Sequence, residues 1–470
     1  MRGTVRICAK PDHRARRTAK KVAMRRFGVL LVVVLMGLVA APAAASGVRR
    51  YEGEIDGARY RVMVPDRWNG TLVLWSHGAY GSPPDRIALT DRPETEAYLL
   101  SHGYALGASL FRTPVGWSAE DGLRDQIRLL DWFRREVGTP RRTISAGESI
   151  GGATSLVLAE RNPGRFDGAL SLCGATAGGA AYWNSGLDVV FALSVLLDVD
   201  VDLVRAADPA ANQARLVEAI TKAAGDPAAR PRLALAAALA DVPGWFDPTA
   251  PRPASVDEQV DWAVVWLRHF RAWAAGPARA DLERWAGGNP SGNVGVDYRR
   301  VLGRSDERAL VTRAYAAAGL DLEADLDRLA AAPRVAPEPR AVAYLARTSL
   351  PVGRTPWPVL TVHNAGDGLL PASNGTAYAD RVRQPERLRQ YTVDRAGHCR
   401  FSAAEEIVAF RTLFERIGTG RWPTADVTVM NAAAAGLGPA LQLTSNPLTG
   451  SDVAVRPAFA PFQAGLYPRP

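Results

Sequence analysis

Gly147-Glu148-Ser149-Ile150-Gly151-Gly152 (GESIGG) lies between the β-branched run RTISAG (142–147) and the Ala- and Leu-rich SLVLAERN (155–162). A strand that becomes a helix within a few residues must turn a tight corner, and glycine tolerates such backbone at no steric cost. Gly147 and Gly151 permit a corner with no room for side chains, and Gly152 gives space for a further close approach. The single hydroxyl, Ser149, is then held at the helix N-terminus with its oxygen exposed. As a bare string, glycine-x-serine-x-glycine is short enough to arise by chance. Its meaning comes from the strand leading in and the helix leading out. A serine that merely starts a helix is the plain alternative, and the rest of the chain decides between them.

Outward from this corner, strand and helix patterns alternate. RYEGEIDGARYRVMVP (50–65) reads as a hairpin, TLVLWSHG (71–78) as a buried strand ending in a glycine loop, and PETEAYLLSHG (93–103) as a short helix. YALGASLF (104–111) is a strand, EDGLRDQIRLLDWFRREVG (120–138) a helix with apolar residues at helical spacing, and FDGALSLCG (166–174) a strand. PWPVLTVHNAGD (356–367) and LRQYTVD (388–394) resume the strand pattern, and FSAAEEIVAFRTLFERIG (401–418) closes with a helix. Alternation of this kind predicts an α/β protein with a mostly parallel central sheet and helices on both faces.

Between these parts the chain reads as helices only, a large insertion of about 180 residues. The expected organisation is a leader at 1–45, a first core segment at 46–174, a helical insertion or cap at 175–355, a second core segment at 356–419 and a proline-containing tail at 420–470. The tail reads as irregular, wrapping the domain or flexible. In the insertion, Ser255 and Glu258 form a capping-box pattern before VDEQVDWAVVWLRHFRAW (256–273). Trp262, Trp266, Phe270 and Trp273 there recur at helical spacing. Such a stripe reads first as core packing, and second as an aromatic wall over the serine.

In this context the corner resembles the nucleophile elbow of the α/β-hydrolase superfamily. A serine hydroxyl is a poor nucleophile without a neighbouring base. The resemblance places the base in the loop after the last strand, where DRAGHCRF holds His398. It places the acid in the loop after VLTVH, where NAGDGLLP holds Asp367. Asp394 is the competing acid, at a strand end only four residues before His398. The order Ser149, Asp367, His398 is the hydrolase order. His363 sits inside a strand, while His269 and His102 sit on or at the end of helices; all three read as structural.

Charge on the substrate carbonyl oxygen calls for two fixed N–H donors. Ile150 N–H, after the nucleophile, is one. His77-Gly78-Ala79-Tyr80-Gly81 resembles the oxyanion loops of esterases and supplies the other, Ala79 first and Gly78 next, with the His77 side chain as a brace. Cys399 follows His398, and Cys173 ends the strand after the corner. The two are either buried thiols or a bridge that pins the histidine loop. The His-Cys pair resembles tannases and feruloyl esterases, which place a disulfide beside their catalytic residues. Glu148 and Ile150 stand where that family has cysteine.

The chain carries 57 Lys and Arg against 48 Asp and Glu, a net charge of +9. Ten basic residues and one acidic residue precede Ser46, so the excess lies entirely in the leader. The remainder is formally neutral and predicts no nucleic-acid partner. A basic stretch ending in Arg25-Arg26, an apolar run from Phe27 to Ala41 and Ala43-Ala-Ala45 form the three parts of a secretory signal cleaved after Ala45. Met24 is an alternative start. The apolar run falls short of the ~20 residues of a comfortable span, so no stable membrane span is expected once the leader is removed. Two mature cysteines suit an exported, extracellular protein. No metal-ligand spacing or nucleotide fingerprint stands out, so no metal and no cofactor are expected. The expected protein is a secreted serine hydrolase of carboxylic esters working through an acyl-enzyme. The alternatives are a peptidase or acyltransferase on the same residues and a non-catalytic binding protein; the partner is a small ester or peptide substrate.

Overall fold

The computed structural model describes residues 47–469, so the leader lies outside the described residues. Strands β1 (Val48–Ile55) and β2 (Ala58–Pro65) form the expected hairpin. They are followed by β3 (Thr71–Ser76), β4 (Ala105–Ser109), β5 (Arg142–Glu148), β6 (Gly168–Leu172), β7 (Val359–Gly366) and β8 (Leu388–Ala396). Three short strands, β9 (Leu443–Asn446), β10 (Ser451–Ala454) and β11 (Phe459–Pro461), lie in the tail. The main sheet runs β1-β2-β4-β3-β5-β6-β7-β8-β11. It is parallel from β4 to β8 and antiparallel at both ends. This is the α/β-hydrolase fold, with a large bent helical insertion.

Every residue of β3 is buried, as expected of a strand covered on both faces. Alternation along the strand sorts its side chains. Val73 and Trp75 face the helices Pro93–Ser101 and Ala403–Thr419, while Leu72 and Leu74 face Ala119–Glu136 and Ser149–Arg161. Each such side chain contributes ~1.5–3 kcal/mol of burial, so the sheet centre is the stiffest part on which a site can be built. The carboxyl ends of β3, β5, β7 and β8 all open on the same edge.

From Gly179–Leu197 to Pro339–Ser349 the chain is helical, with its own buried core. Helix Gly179–Leu197 is long and apolar enough to cross a membrane, yet two thirds of it is buried within the protein, which marks a core helix. The expected single helix over 256–273 is bent. Val256–Trp266 is α-helical, Leu267–Arg271 is a π-turn and Ala272–Ala275 a 3₁₀ turn. The extra residue in the π-turn shifts the side-chain register. Arg271 thereby turns inward to the carbonyls of Ala240 (2.9 Å) and Leu369 (3.4 Å), and Trp273 ends up 39% exposed. Ser255 Oγ accepts from Glu258 N–H at 3.2 Å. The reciprocal box forms instead at Ser402 and Glu405, the start of the closing helix.

The tail differs from its irregular reading. It forms the helix Val427–Ala435, and β11 pairs antiparallel with β8, covering what would be an open sheet edge. Its prolines masked these three- and four-residue strands. Near the chain end, Arg469 Nη1 lies 2.6 Å from both carboxylate oxygens of Asp188, which is wholly buried in the insertion. Burial pushes the Asp188 carboxyl up, and Arg469 pulls it back. Removing one partner of a buried pair strands the other charge. Arg469→Ala is therefore expected to lower unfolding free energy by ~3 kcal/mol, read as a shift of the urea midpoint. Parental stability in that variant would mean the latch contributes nothing.

Candidate active site

β5 ends at Glu148 in extended backbone, and Ser149 opens the helix Ser149–Arg161 with φ +53°. Left-handed backbone costs a non-glycine residue ~1–2 kcal/mol, so the surroundings must impose it. They do so by backbone packing. A Cβ on Gly147 would lie 2.6 Å from Ser76 O, and one on Gly151 would overlap the carbonyl oxygens of Ser76 and His77. Gly152 is pressed on Ser171 Oγ and on Gly174 Cα, where a Cβ would lie 2.7 and 2.8 Å away. The glycines around Ser149 thus let the first helical turn rest directly on the end of β3.

His398 Nε2 lies 2.8 Å from Ser149 Oγ, and His398 Nδ1 lies 2.7 Å from Asp367 Oδ2. Three residues from three strand ends, up to 249 positions apart, form one hydrogen-bonded chain. Asp367 is 1% exposed, and its Oδ1 accepts the N–H groups of Leu369 and Leu370, each at 2.9 Å. The competing Asp394 points outward from β8 and is exposed.

The histidine loop is held from several sides. Gly397 N–H donates to Gly366 O at 3.0 Å across a break in the β7–β8 register. Arg400 N–H donates to Asn364 Oδ1 at 2.9 Å, and buried Arg395 pairs with Glu405 while donating to Arg400 O at 2.8 Å. Cys399 is disulfide-bonded to Cys173 at the end of β6, with Cα atoms 5.4 Å apart. Both cysteines have left-handed backbone, φ +44° at Cys173 and +53° at Cys399. Cys173, His398 and Cys399 cluster within 4.8 Å. With the sulfurs bonded to each other, the cluster offers no thiolate to a metal.

The loop after β3 is also fixed. The His77 ring stacks between Tyr80 (centroids 4.5 Å) and Phe111 (4.1 Å), and His77 Nδ1–H donates to Gly78 O at 2.6 Å. Burial lowers the His77 pKa to about 4, so the brace is a neutral imidazole. A peptide unit is planar and trans. Holding Gly78 C=O on His77 therefore points Ala79 N–H the opposite way. Ala79 N–H is thus directed away from the His77 ring, on the loop that faces the Ser149 corner. His363 donates through Nε2 to Leu370 O at 3.0 Å, with burial lowering its pKa to about 4; it braces the acid loop.

Two tryptophans not singled out as site residues touch this centre. Cβ atoms on Gly366 and Gly368, which flank Asp367, would collide with the rings of Trp245 and Trp266. Trp266 Nε1–H donates to Trp245 O at 2.9 Å, joining the pair. The helical spacing flagged the aromatic stripe, but nothing in the sequence indicates that its base seats on the acid loop. Asp91 and Glu406, grouped beside Glu148, also carried no sequence signal.

No protein-family model matches the chain. The o-phthalyl amidase of Xanthobacter agilis is 28% identical to it over 414 residues, covering 81% of this chain and 89% of that protein. Among solved structures, the chain is similar to a serine hydrolase from the polyaromatic-hydrocarbon-degrading bacterium Cycloclasticus zankles, with 16% identity, a TM-score of 0.35, and coverage of 80% of this chain and 99% of that one. It is also similar to Pyrococcus horikoshii acylaminoacyl peptidase, with 12% identity, a TM-score of 0.37, and coverage of 82% and 44%. The fold and the amidase relative together support an enzyme of the serine-hydrolase type within the α/β-hydrolase superfamily.

Two measurements check this geometry. Replacing both Cys173 and Cys399 by serine is expected to lower stability by ~2–5 kcal/mol in urea unfolding, because the bridge closes a separation of 226 residues. No thiol titrating in the denatured, unreduced chain from residue 46 onward is the matching result; two titrating thiols would disprove the bridge. His77→Phe keeps the ring stack but removes the donor to Gly78 O, and should slow acylation of Ser149 by roughly tenfold or more, as expected when an oxyanion donor is misaligned. An unchanged acylation rate would show that the loop holds itself.

Proposed function

We propose that this protein hydrolyses a carboxylic amide by transferring the acyl group to Ser149 and then to water. The hydrogen-bonded chain Ser149–His398–Asp367, at 2.8 and 2.7 Å, carries the reading. Ser149 Oγ attacks the carbonyl as His398 Nε2 takes its proton. Asp367, held by three N–H donors, keeps Nδ1 protonated and stabilises the imidazolium. Ile150 and Ala79 N–H receive the carbonyl oxygen as it becomes negative, each worth ~3–4 kcal/mol in the transition state. Collapse breaks the C–N bond, and His398 returns the proton to the departing nitrogen. Water then repeats the sequence on the acyl-enzyme and releases the acid.

An ester fits the same machinery, and the residues alone do not choose. The relative that matches this chain through most of its length is an amidase acting on a phthalyl group, an aromatic acyl; that favours C–N cleavage of an aromatic or similarly apolar acyl amide. Ester turnover accompanies it, because an alkoxide leaves more readily than an amine and demands less of His398. We further infer export, with residues 1–45 removed; the Cys173–Cys399 bridge supports an oxidising compartment.

A fluorophosphonate probe is expected to label the protein and to lose its target in Ser149→Ala, which should also lower kcat at least ~10³-fold. Equal labelling of the variant would move the nucleophile elsewhere. No labelling of the folded parent would leave a binding protein with this fold. In a panel of aryl amides and p-nitrophenyl esters, turnover of esters with no amide cleaved would return the reading to an esterase.

A further inference from the structure

We propose that, once the Cys173–Cys399 bridge is reduced, the two thiolates and His398 Nε2 form a zinc site whose occupation silences Ser149. The silencing rests on the serine-hydrolase reading; the metal site itself rests only on its three donors.

Thiolate and imidazole are donors that suit zinc, and three of them with an open fourth position make a complete site. Cys173 Sγ, Cys399 Sγ and a ring nitrogen of His398 lie within 4.8 Å of one another. Cys399 Sγ is already 3.4 Å from His398 Nε2. Donors bound tetrahedrally to one zinc at ~2.0–2.3 Å stand roughly 3.5–3.8 Å apart, so this edge of the site is in place. The two sulfurs have only to part once their bond is broken. Rotation of the side chains does this, with the Cα atoms left 5.4 Å apart.

The imidazole is oriented for the same task. Asp367 Oδ2 holds His398 Nδ1 at 2.7 Å, which fixes the ring and presents Nε2 as the nitrogen with the lone pair. A carboxylate behind the ring is the partner by which metal-ligating histidines set their tautomer. Asp367 therefore serves the base and the ligand alike.

The frame around the donors does not depend on the disulfide. Cys173 N–H donates to Val362 O of β7 at 2.8 Å, and Ala175 N–H to Ser149 O at 3.2 Å. On the other side, the bonds from Gly397 N–H to Gly366 O and from Arg400 N–H to Asn364 Oδ1 bracket His398 and Cys399. Opening the bridge thus leaves both cysteines beside the ring. Cys173 is wholly buried and Cys399 nearly so, whereas His398 is partly open, so a metal enters from the histidine side.

A newly made chain carries thiols, and the bridge needs an oxidant. Metal binding to the reduced form displaces a proton from each thiol and takes the Nε2 lone pair. That lone pair, 2.8 Å from Ser149 Oγ, is the one that receives the serine proton. It cannot do both, and Ser149 loses its base. Exchange with a small disulfide reverses the state. Two electrons pass from the cysteines to the reagent, which leaves as two thiols; the Cys173–Cys399 bond forms, and the metal and Nε2 are released. Activity is thereby withheld until the chain meets an oxidising compartment.

The test uses the chain from residue 46 onward, which carries every element of the fold. It is kept oxidised or reduced with a water-soluble phosphine, itself oxidised to the phosphine oxide as the thiols form, and cobalt(II) is added as the probe. The reduced protein is expected to bind an equimolar amount and show a thiolate-to-cobalt charge-transfer band; the oxidised protein should show none. Zinc should displace the cobalt, raise the melting temperature of the reduced form only, and slow fluorophosphonate labelling of Ser149 at least ~100-fold. A chelator should restore the rate. In Cys173→Ser/Cys399→Ser the band should be absent and the labelling rate indifferent to zinc. No band in reduced, folded protein overturns the proposal, as does unfolding of the reduced form that zinc does not prevent. A zinc effect of equal size on the oxidised protein or the double variant places the metal elsewhere and also overturns it. A band with labelling unmoved by zinc overturns the silencing. A band in the reduced form, with no labelling of the folded oxidised parent, upholds the metal site and overturns the hydrolase reading.

Discussion

The site depends on one backbone contact, the first turn of helix Ser149–Arg161 resting on the carbonyls of Ser76 and His77 at the end of β3. No side chain fits between, so glycine stands at positions 147 and 151. The contact forces Ser149 into left-handed backbone and lifts its hydroxyl over the sheet edge. It also brings the corner against the loop after β3, which carries Gly78 and Ala79. Ser149, Cys173 and Cys399, all at positive φ, gather at this edge, and Phe111, at φ +60°, stacks on His77. Strain of this kind persists only where neighbours over-determine it. Here the glycine contacts, the disulfide and the β7–β8 hydrogen bonds do so.

What could be read from the sequence follows from how each feature is encoded. The sheet was legible because its strands are buried on both faces and bounded by glycines. The triad was legible because each member sits directly at a strand end, so three local patterns imply one meeting point. The bend at Leu267–Arg271 was not legible, since a π-turn preserves the apolar composition and alters only the register. β11 was hidden by length: three residues containing Pro461 carry no period. Asp91 and Glu406 were illegible for another reason. Each lies on a helix or its approach with an unremarkable acidic pattern, and only the packing of those helices brings them to Glu148.

The insertion is more than a cover. Leu369 and Leu370, whose N–H groups hold Asp367, belong to the insertion's own apolar core, and Trp245 and Trp266 press on the glycines either side of the acid. Arg271 adds a bond to Leu369 O. The carboxylate that orients His398 is thus set by residues far outside the sheet. Larger residues at Gly366 or Gly368 would displace the tryptophans or the acid loop. A cap anchored in this way resists lifting as a rigid lid, so substrate access is expected to depend on loops and side chains around it. The C-terminal latch at Asp188 stiffens the same body from its far side.

Charge is arranged asymmetrically about the serine. On the imidazole side, one carboxyl has three N–H donors for its two oxygens, a setting that suits an anion paired with a transient imidazolium. On the oxyanion side, burial raises the Glu148 and Glu406 carboxyls well above the ordinary carboxylate range, a setting that favours the protonated acids. The same functional group therefore takes opposite roles within one site, by environment alone. The asymmetry has a direction that catalysis needs. Negative charge is fixed where a cation forms and withheld from where an anion forms.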